Sequence, residues 1–129
     1  MSTTAYVIDA SVLLAAILGE LTAEQTELWL AGSCVSTVNL SESIAKLVDY
    51  GYAAEVITDI IQAMKLDVRP FDPEQAEWAG LVRASTREFG LSLGDRACLA
   101  LANELQRPAA TADKAWAKLD IGIRIELIR

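Results

Sequence analysis

Apolar positions along the chain fall into short runs and longer stripes at helical spacing, and the two kinds alternate from one end to the other. Residues 5–8 form a short β-prone run, and residues 10–18 continue as an apolar stretch that reads as a buried helix closed by Gly19. Thr22-Ala23-Glu24-Gln25 has the form of a capping box and starts a second helix carrying Leu28, Trp29 and Leu30, with Gly32 beyond it. Residues 34–37 are the next strand candidate. Asn39, Leu40, Ser41 and Glu42 then stand at the head of a third helix, whose stripe is Leu40, Ile44, Leu47 and Val48. Gly51 separates it from a fourth helix over residues 53–64.

The second half repeats the rhythm. Residues 66–71 form a third strand, and Asp72-Pro73-Glu74 is a strong helix start, with a capping acid and a proline in the first turn. That helix is expected to run through Trp78, Leu81 and Val82 to Gly90. Cys98, Leu101, Ala102 and Leu105 make residues 94–106 an amphipathic helix facing a core. A short apolar strand at 109–112, a short helix at 114–119 and a strand at 123–128, with Ile123, Ile125 and Leu127 alternating, complete the chain. There is no internal repeat or linker. Strands alternating with helices predict an α/β fold of three layers, α/β/α, around a central parallel sheet of about five strands, as one domain over residues 1–129.

Composition narrows the chemistry. With 129 residues, 53% of them hydrophobic and 22% charged, the chain suits one folded domain with a sizeable core. No apolar run reaches the ~18 residues of a membrane helix, and the N-terminus lacks a basic segment ahead of an apolar one. Cys34 and Cys98 fall on predicted core elements, which suggests a reduced, cytoplasmic protein. There is no histidine, so Ser-His-Asp and Cys-His catalysis and imidazole metal sites are excluded. What remains leans on carboxylates, alone or with hard cations that prefer oxygen. A formal net charge of −7 argues against binding nucleic acid through a general basic surface, but not against meeting phosphate through bound metal.

The carboxylates have a pattern. Asp9, Glu42, Asp72 and Asp113 each follow a predicted strand, and Asp95 opens a helix on the stripe that continues through Cys98. All are expected on the carboxyl edge of the sheet, where α/β folds build their sites. Singly, each is explained by helix capping, worth about 0.5–2 kcal/mol. Asp72 is the extreme case, because Pro73 and Glu74 complete its cap. Jointly, several acids on one edge repel one another, and divalent metal would relieve that cost and supply chemistry. Ser11, Asn39 and Thr111 are small polar neighbours suited to the same site, or to turns.

VIDASVLLA at the start, STVNLSES near position 40, LSLGDRACLALA and TADKAW together resemble the PIN-domain proteins, and within them the VapC-type toxins of bacterial toxin–antitoxin pairs. The resemblance covers essentially the whole chain in order. It implies a metal-dependent ribonuclease in which Asp9, Glu42, Asp95 and Asp113 hold Mg²⁺ or Mn²⁺, with Ser11 and Thr111 orienting carboxylates or water. It is also what favours Glu42 over Asp72. It further implies an RNA substrate, a cognate antitoxin and a homodimer. Leu13, Leu14, Ile17, Leu18, Leu21, Leu28 and Trp29 offer more apolar surface than one sheet face needs, and so a candidate groove for a partner helix. Two other readings share parts of the pattern. A receiver-type phosphoacceptor would want paired acids after the first strand, where Ala10 follows Asp9, and a silent binding module would not need its acids intact.

Overall fold

The computed structural model describes residues 4–129 and shows a five-stranded, wholly parallel sheet in the order β3-β2-β1-β4-β5. The strands are β1 (Val7–Ile8), β2 (Cys34–Ser36), β3 (Asp67–Arg69), β4 (Ala109–Thr111) and β5 (Ile125–Leu127). The helices are α1 (Ala10–Ile17), α2 (Ala23–Leu30), α3 (Thr37–Asp49), α4 (Ala54–Met64), α5 (Pro73–Leu81), α6 (Arg83–Thr86) and α7 (Leu93–Leu105).

Successive strand residues point to opposite faces, and the two hydrophobic clusters follow that alternation. Val7, Cys34 and Ala109 join one cluster with Cys98, Leu99, Leu101 and Ala102 of α7 and the fully buried Trp116. Ile8, Val35 and Ala110 join the other with Val12, Leu13 and Ala15 of α1, against which Trp29, Leu40 and Met64 also pack. This is the expected three-layer α/β arrangement. Cys34 and Cys98 are both buried and unpaired, and among the described residues no helix is long and apolar enough to cross a membrane.

Four differences from the sequence reading bear on function. First, α3 begins at Thr37, because the Ser36 hydroxyl at the end of β2 accepts from the Val38 N–H and turns strand directly into helix. Glu42 therefore lies inside α3, more than a turn from its start. Second, the expected helix through residue 90 is broken into α5, α6 and a 3₁₀ turn, Arg87–Phe89. There the Thr86 hydroxyl donates to the Val82 carbonyl at 3.2 Å, the Ser85 N–H tightens onto the same carbonyl at 2.9 Å, and Gly90 closes the segment at φ 68°. Third, residues 114–118 form a 3₁₀ turn, which seats Trp116 in the core. Fourth, the apolar surface of α1 and α2 is partly used internally: Leu13 is fully buried, and Ile17, Leu21 and Trp29 pack onto the second cluster, while Leu28 is half exposed and Leu14 and Leu18 are partly so.

Candidate active site

Strand order places the site. The chain leaves β1 through α1 to β2 on one side, while β4 pairs with β1 on the other. The order therefore reverses between β1 and β4, and a crevice opens beyond their carboxyl ends. Asp9 sits there directly after β1 and caps α1: its Oδ1 accepts from the Val12 N–H at 3.1 Å and from the Ser11 hydroxyl at 2.6 Å. Its Oδ2 accepts from the Thr111 hydroxyl of β4 at 2.6 Å. The Ser11 hydroxyl accepts in turn from the Ala112 N–H, and that of Thr111 from the Asp113 N–H. Both hydroxyl protons are thus committed to Asp9, and the 3.5 Å approach of Ser11 to Thr111 is a contact with no proton left to share. Ser11 and Thr111 lock the carboxylate from both sides and tie the loop carrying Asp113 to it.

The opposite wall comes from the heads of α3 and α7. Asn39, 1% exposed, donates from Nδ2 to Glu42 Oε1 at 3.1 Å and to the Gly94 carbonyl at 3.0 Å. Asp95 closes a capping box with Ser92: its Oδ2 accepts from the Ser92 N–H, and the Ser92 hydroxyl accepts from the Asp95 N–H. Asp113 caps the following turn through Oδ1 and the Ala115 N–H. The capping explanation is therefore correct for three of the four acids, yet it does not exhaust them. Glu42, Asp95 and Asp113 each keep one carboxylate oxygen with no donor among the described residues.

Electrostatics couples the acids of this edge. Burial pushes the Asp9 carboxyl above its ordinary 3.8, outweighing its three hydrogen bonds, and the Asp95 charge adds to the rise. Burial likewise raises Glu42 above 4.5, with Asp95 and Asp9 pushing the same way and Asn39 opposing. Asp95 is raised above 3.8 by burial and by the charge of Asp113, against its bonds to Ser92. Among the described residues, no Lys or Arg pairs with any of the four.

These residues fit a hard divalent cation by their chemistry: the donors are all oxygen, they repel one another, and three of them present an uncommitted oxygen. They do not form a closed cage, for among the described residues no three acids or cysteines are gathered tightly enough to enclose an ion. Asp72 stands apart. It caps α5 by accepting from the Gln75 N–H, and it follows β3, at the sheet edge two strands away from β1.

The sequence reading passed over Gly94. A methyl group built there would clash with the Glu42 carboxylate and force it to shift, so Gly94 leaves room for Glu42 where it stands. A glycine in the first turn of a helix, where alanine is the better helix former, was the available signal.

A parallel, doubly wound domain with an all-carboxylate cluster at its switch point is the class that fold and site define. The chain belongs to the PIN domain family, which matches residues 6–122. Its fold is similar to that of DNA-bound VapBC from Salmonella typhimurium, with a TM-score of 0.79 at 20% identity over 98% of this chain and 99% of that one. VapBC2 from Rickettsia felis bound to a promoter DNA fragment gives 0.72 at 16% identity, over 96% and 98% of the two chains. VapBC-5 from Mycobacterium tuberculosis gives 0.62 at 22%, over 98% of each. No curated protein matches the chain in sequence.

Proposed function

We propose that this PIN domain is a divalent-cation-dependent endoribonuclease and the toxin of a toxin–antitoxin pair. The observation that carries the first part is a cluster of carboxylates that raise one another's pKa and, among the described residues, form no salt bridge, at the one place where strand order opens the sheet. Asp9, Glu42, Asp95 and Asp113 would hold Mg²⁺ or Mn²⁺. Bound there, the cation would supply Lewis acidity for water and charge stabilisation for a phosphodiester.

The chain's own residues do the rest. Ser11 and Thr111 hold Asp9 in one orientation, so the most buried acid needs no rearrangement when the substrate arrives. Ser92 fixes Asp95, and the Thr111 hydroxyl holds the backbone at Asp113. With no histidine in the chain, proton transfer falls to water and carboxylates. Ser92, Leu93 and Asp113 are exposed at the rim, so the edge is open to a polymer. A net charge of −7 leaves a bound cation as the natural contact for the scissile phosphate.

The second part rests on the three similar structures described above, each from a VapBC toxin–antitoxin system, and on an apolar hollow of about 380 Å³ between α3 and α4. Ile44, Val48, Ile57 and Ile61 line it, and Val48 and Val56 are about half exposed. An amphipathic antitoxin helix laid there would cover them. This surface stands beside the one expected on α1 and α2, where Leu28 is half exposed.

One experiment addresses both parts. Brief expression of the chain, followed by sequencing of RNA ends, is expected to show discrete new ends. Co-expression of the adjacent small open reading frame is expected to remove them, and its product to co-purify with the chain. No new ends on expression would contradict the ribonuclease reading; ends that persist beside a protein that fails to co-purify would contradict the antitoxin.

A further inference from the structure

We propose that Asn39 and Gly94 are positioning residues that set the Glu42 carboxylate in the one orientation in which it can serve the acidic edge. This rests on the cation-binding reading above. Asn39 precedes Glu42 by one helical turn, so the two side chains lie on the same face of α3. Its amide orientation is fixed by chemistry, since Nδ2 faces two acceptors, the Glu42 carboxylate and the Gly94 carbonyl, and reversing the amide would set oxygen against oxygen. The consequence is a buried Oδ1 with no donor. An amide that leaves its own carbonyl unsatisfied is poor core packing, and fits better with a donor held in place for Glu42 and α7.

Gly94 supplies the other half. It is buried within α7 and has no left-handed backbone that would call for glycine. Space is the reason: a Cβ there would clash with Glu42 Cδ and both its carboxylate oxygens, so the carboxylate would have to move away. Asn39 pulls one oxygen of Glu42, and the bare backbone of Gly94 receives the group. Its remaining oxygen stays without a protein donor, beside Asp9 and Asp95, whose charges would otherwise push Glu42 away. Asn39 thus does with a neutral donor what a lysine would do at the cost of competing with the cation.

The test is Mn²⁺ affinity, measured by calorimetry on chelator-treated protein, with thermal melts alongside. Asn39→Ala and Gly94→Ala are each expected to weaken Mn²⁺ about 10–100-fold, the range for losing a partner that orients a ligand. In a Glu42→Gln background, the same changes are expected to add less than about twofold, because both act through Glu42. A merely structural role would lower the melting temperature and leave the Mn²⁺ affinity of folded protein unchanged. Wild-type affinity in both single variants, or full additivity with Glu42→Gln, would overturn the proposal. Should Asn39→Ala not fold, Gly94→Ala and its double variant decide alone. A wild-type protein that binds no Mn²⁺ would overturn the cation reading itself, and with it this one.

Discussion

Asp95→Asn is expected to lower RNA cleavage by at least about a hundredfold while leaving the fold intact, and Asp72→Asn to leave cleavage within about twofold of wild type. The two acids look alike in sequence, each opening a helix. The structure separates them. Asp95 caps α7 through one oxygen and keeps the other uncommitted, and its charge is felt by both Asp9 and Glu42. An asparagine there can still accept from the Ser92 N–H, so the cap survives while one charge of the cluster is lost. The expected loss exceeds the 10–100-fold that follows from removing an outer partner, because the group itself would bind the cation. Asp72 caps α5 at the β3 edge of the sheet, and asparagine caps about as well as aspartate. Circular dichroism of both variants checks the fold. Cleavage lost in Asp72→Asn and kept in Asp95→Asn would move the site to other residues.

The second large effect is on stability and its dependence on pH. Asp9, Glu42 and Asp95 all have carboxyls raised in the folded protein, by burial first and further by neighbouring charge: Asp95 on Asp9, Asp95 and Asp9 on Glu42, and Asp113 on Asp95. In the unfolded chain they return to about 3.8, 4.5 and 3.8. Between the ordinary and the raised values, the folded state binds more protons than the unfolded one. These groups therefore favour folding at low pH, and that contribution is lost as pH rises through the raised values. Chelated protein is expected to melt at a higher temperature in mildly acidic buffer than at neutral pH. Saturating Mn²⁺ is expected to reverse the order: at a hundred times its dissociation constant a cation adds about 2.7 kcal/mol, which is several degrees of melting temperature. At acid pH protons compete for the same oxygens and the gain shrinks. A chelated melting curve insensitive to pH across this range would contradict the raised carboxyls of Asp9, Glu42 and Asp95.

How much of this was legible in the sequence depended on the range over which the signal acts. The order of strands and helices, and the caps at Asp9, Thr22, Asp72 and Asp95, are local chemistry and stand near where periodicity and capping residues put them, although the Ser92 that completes the Asp95 cap was not singled out. The break after Val82 was hidden, because it depends on the Thr86 hydroxyl turning back on the helix when that side chain is buried. Glu42 was placed at a helix head because the strand was read through β-branched Thr37 and the helix from Asn39, whereas the Ser36 cap starts α3 earlier. The choice between Asp72 and Glu42 could not come from spacing, since both follow strands; only sheet order sets them apart, with β2 next to β1 and β3 beyond it. Asn39 and Gly94 are 55 residues apart, and no local pattern announces their hydrogen bond. Part of the apolar surplus on α1 is core, where Leu13 joins a cluster against which Trp29, Leu40 and Met64 pack, and a one-dimensional stripe does not show which part.

The most direct test is cleavage of an end-labelled RNA by purified protein in Mn²⁺ buffer, followed by chelator and then by excess Mn²⁺ in the same sample. Cleavage that stops with chelator and resumes at its former rate with the added metal is the result expected of an all-carboxylate site built on Asp9, Glu42, Asp95 and Asp113. Cleavage that continues undiminished in chelator would contradict it.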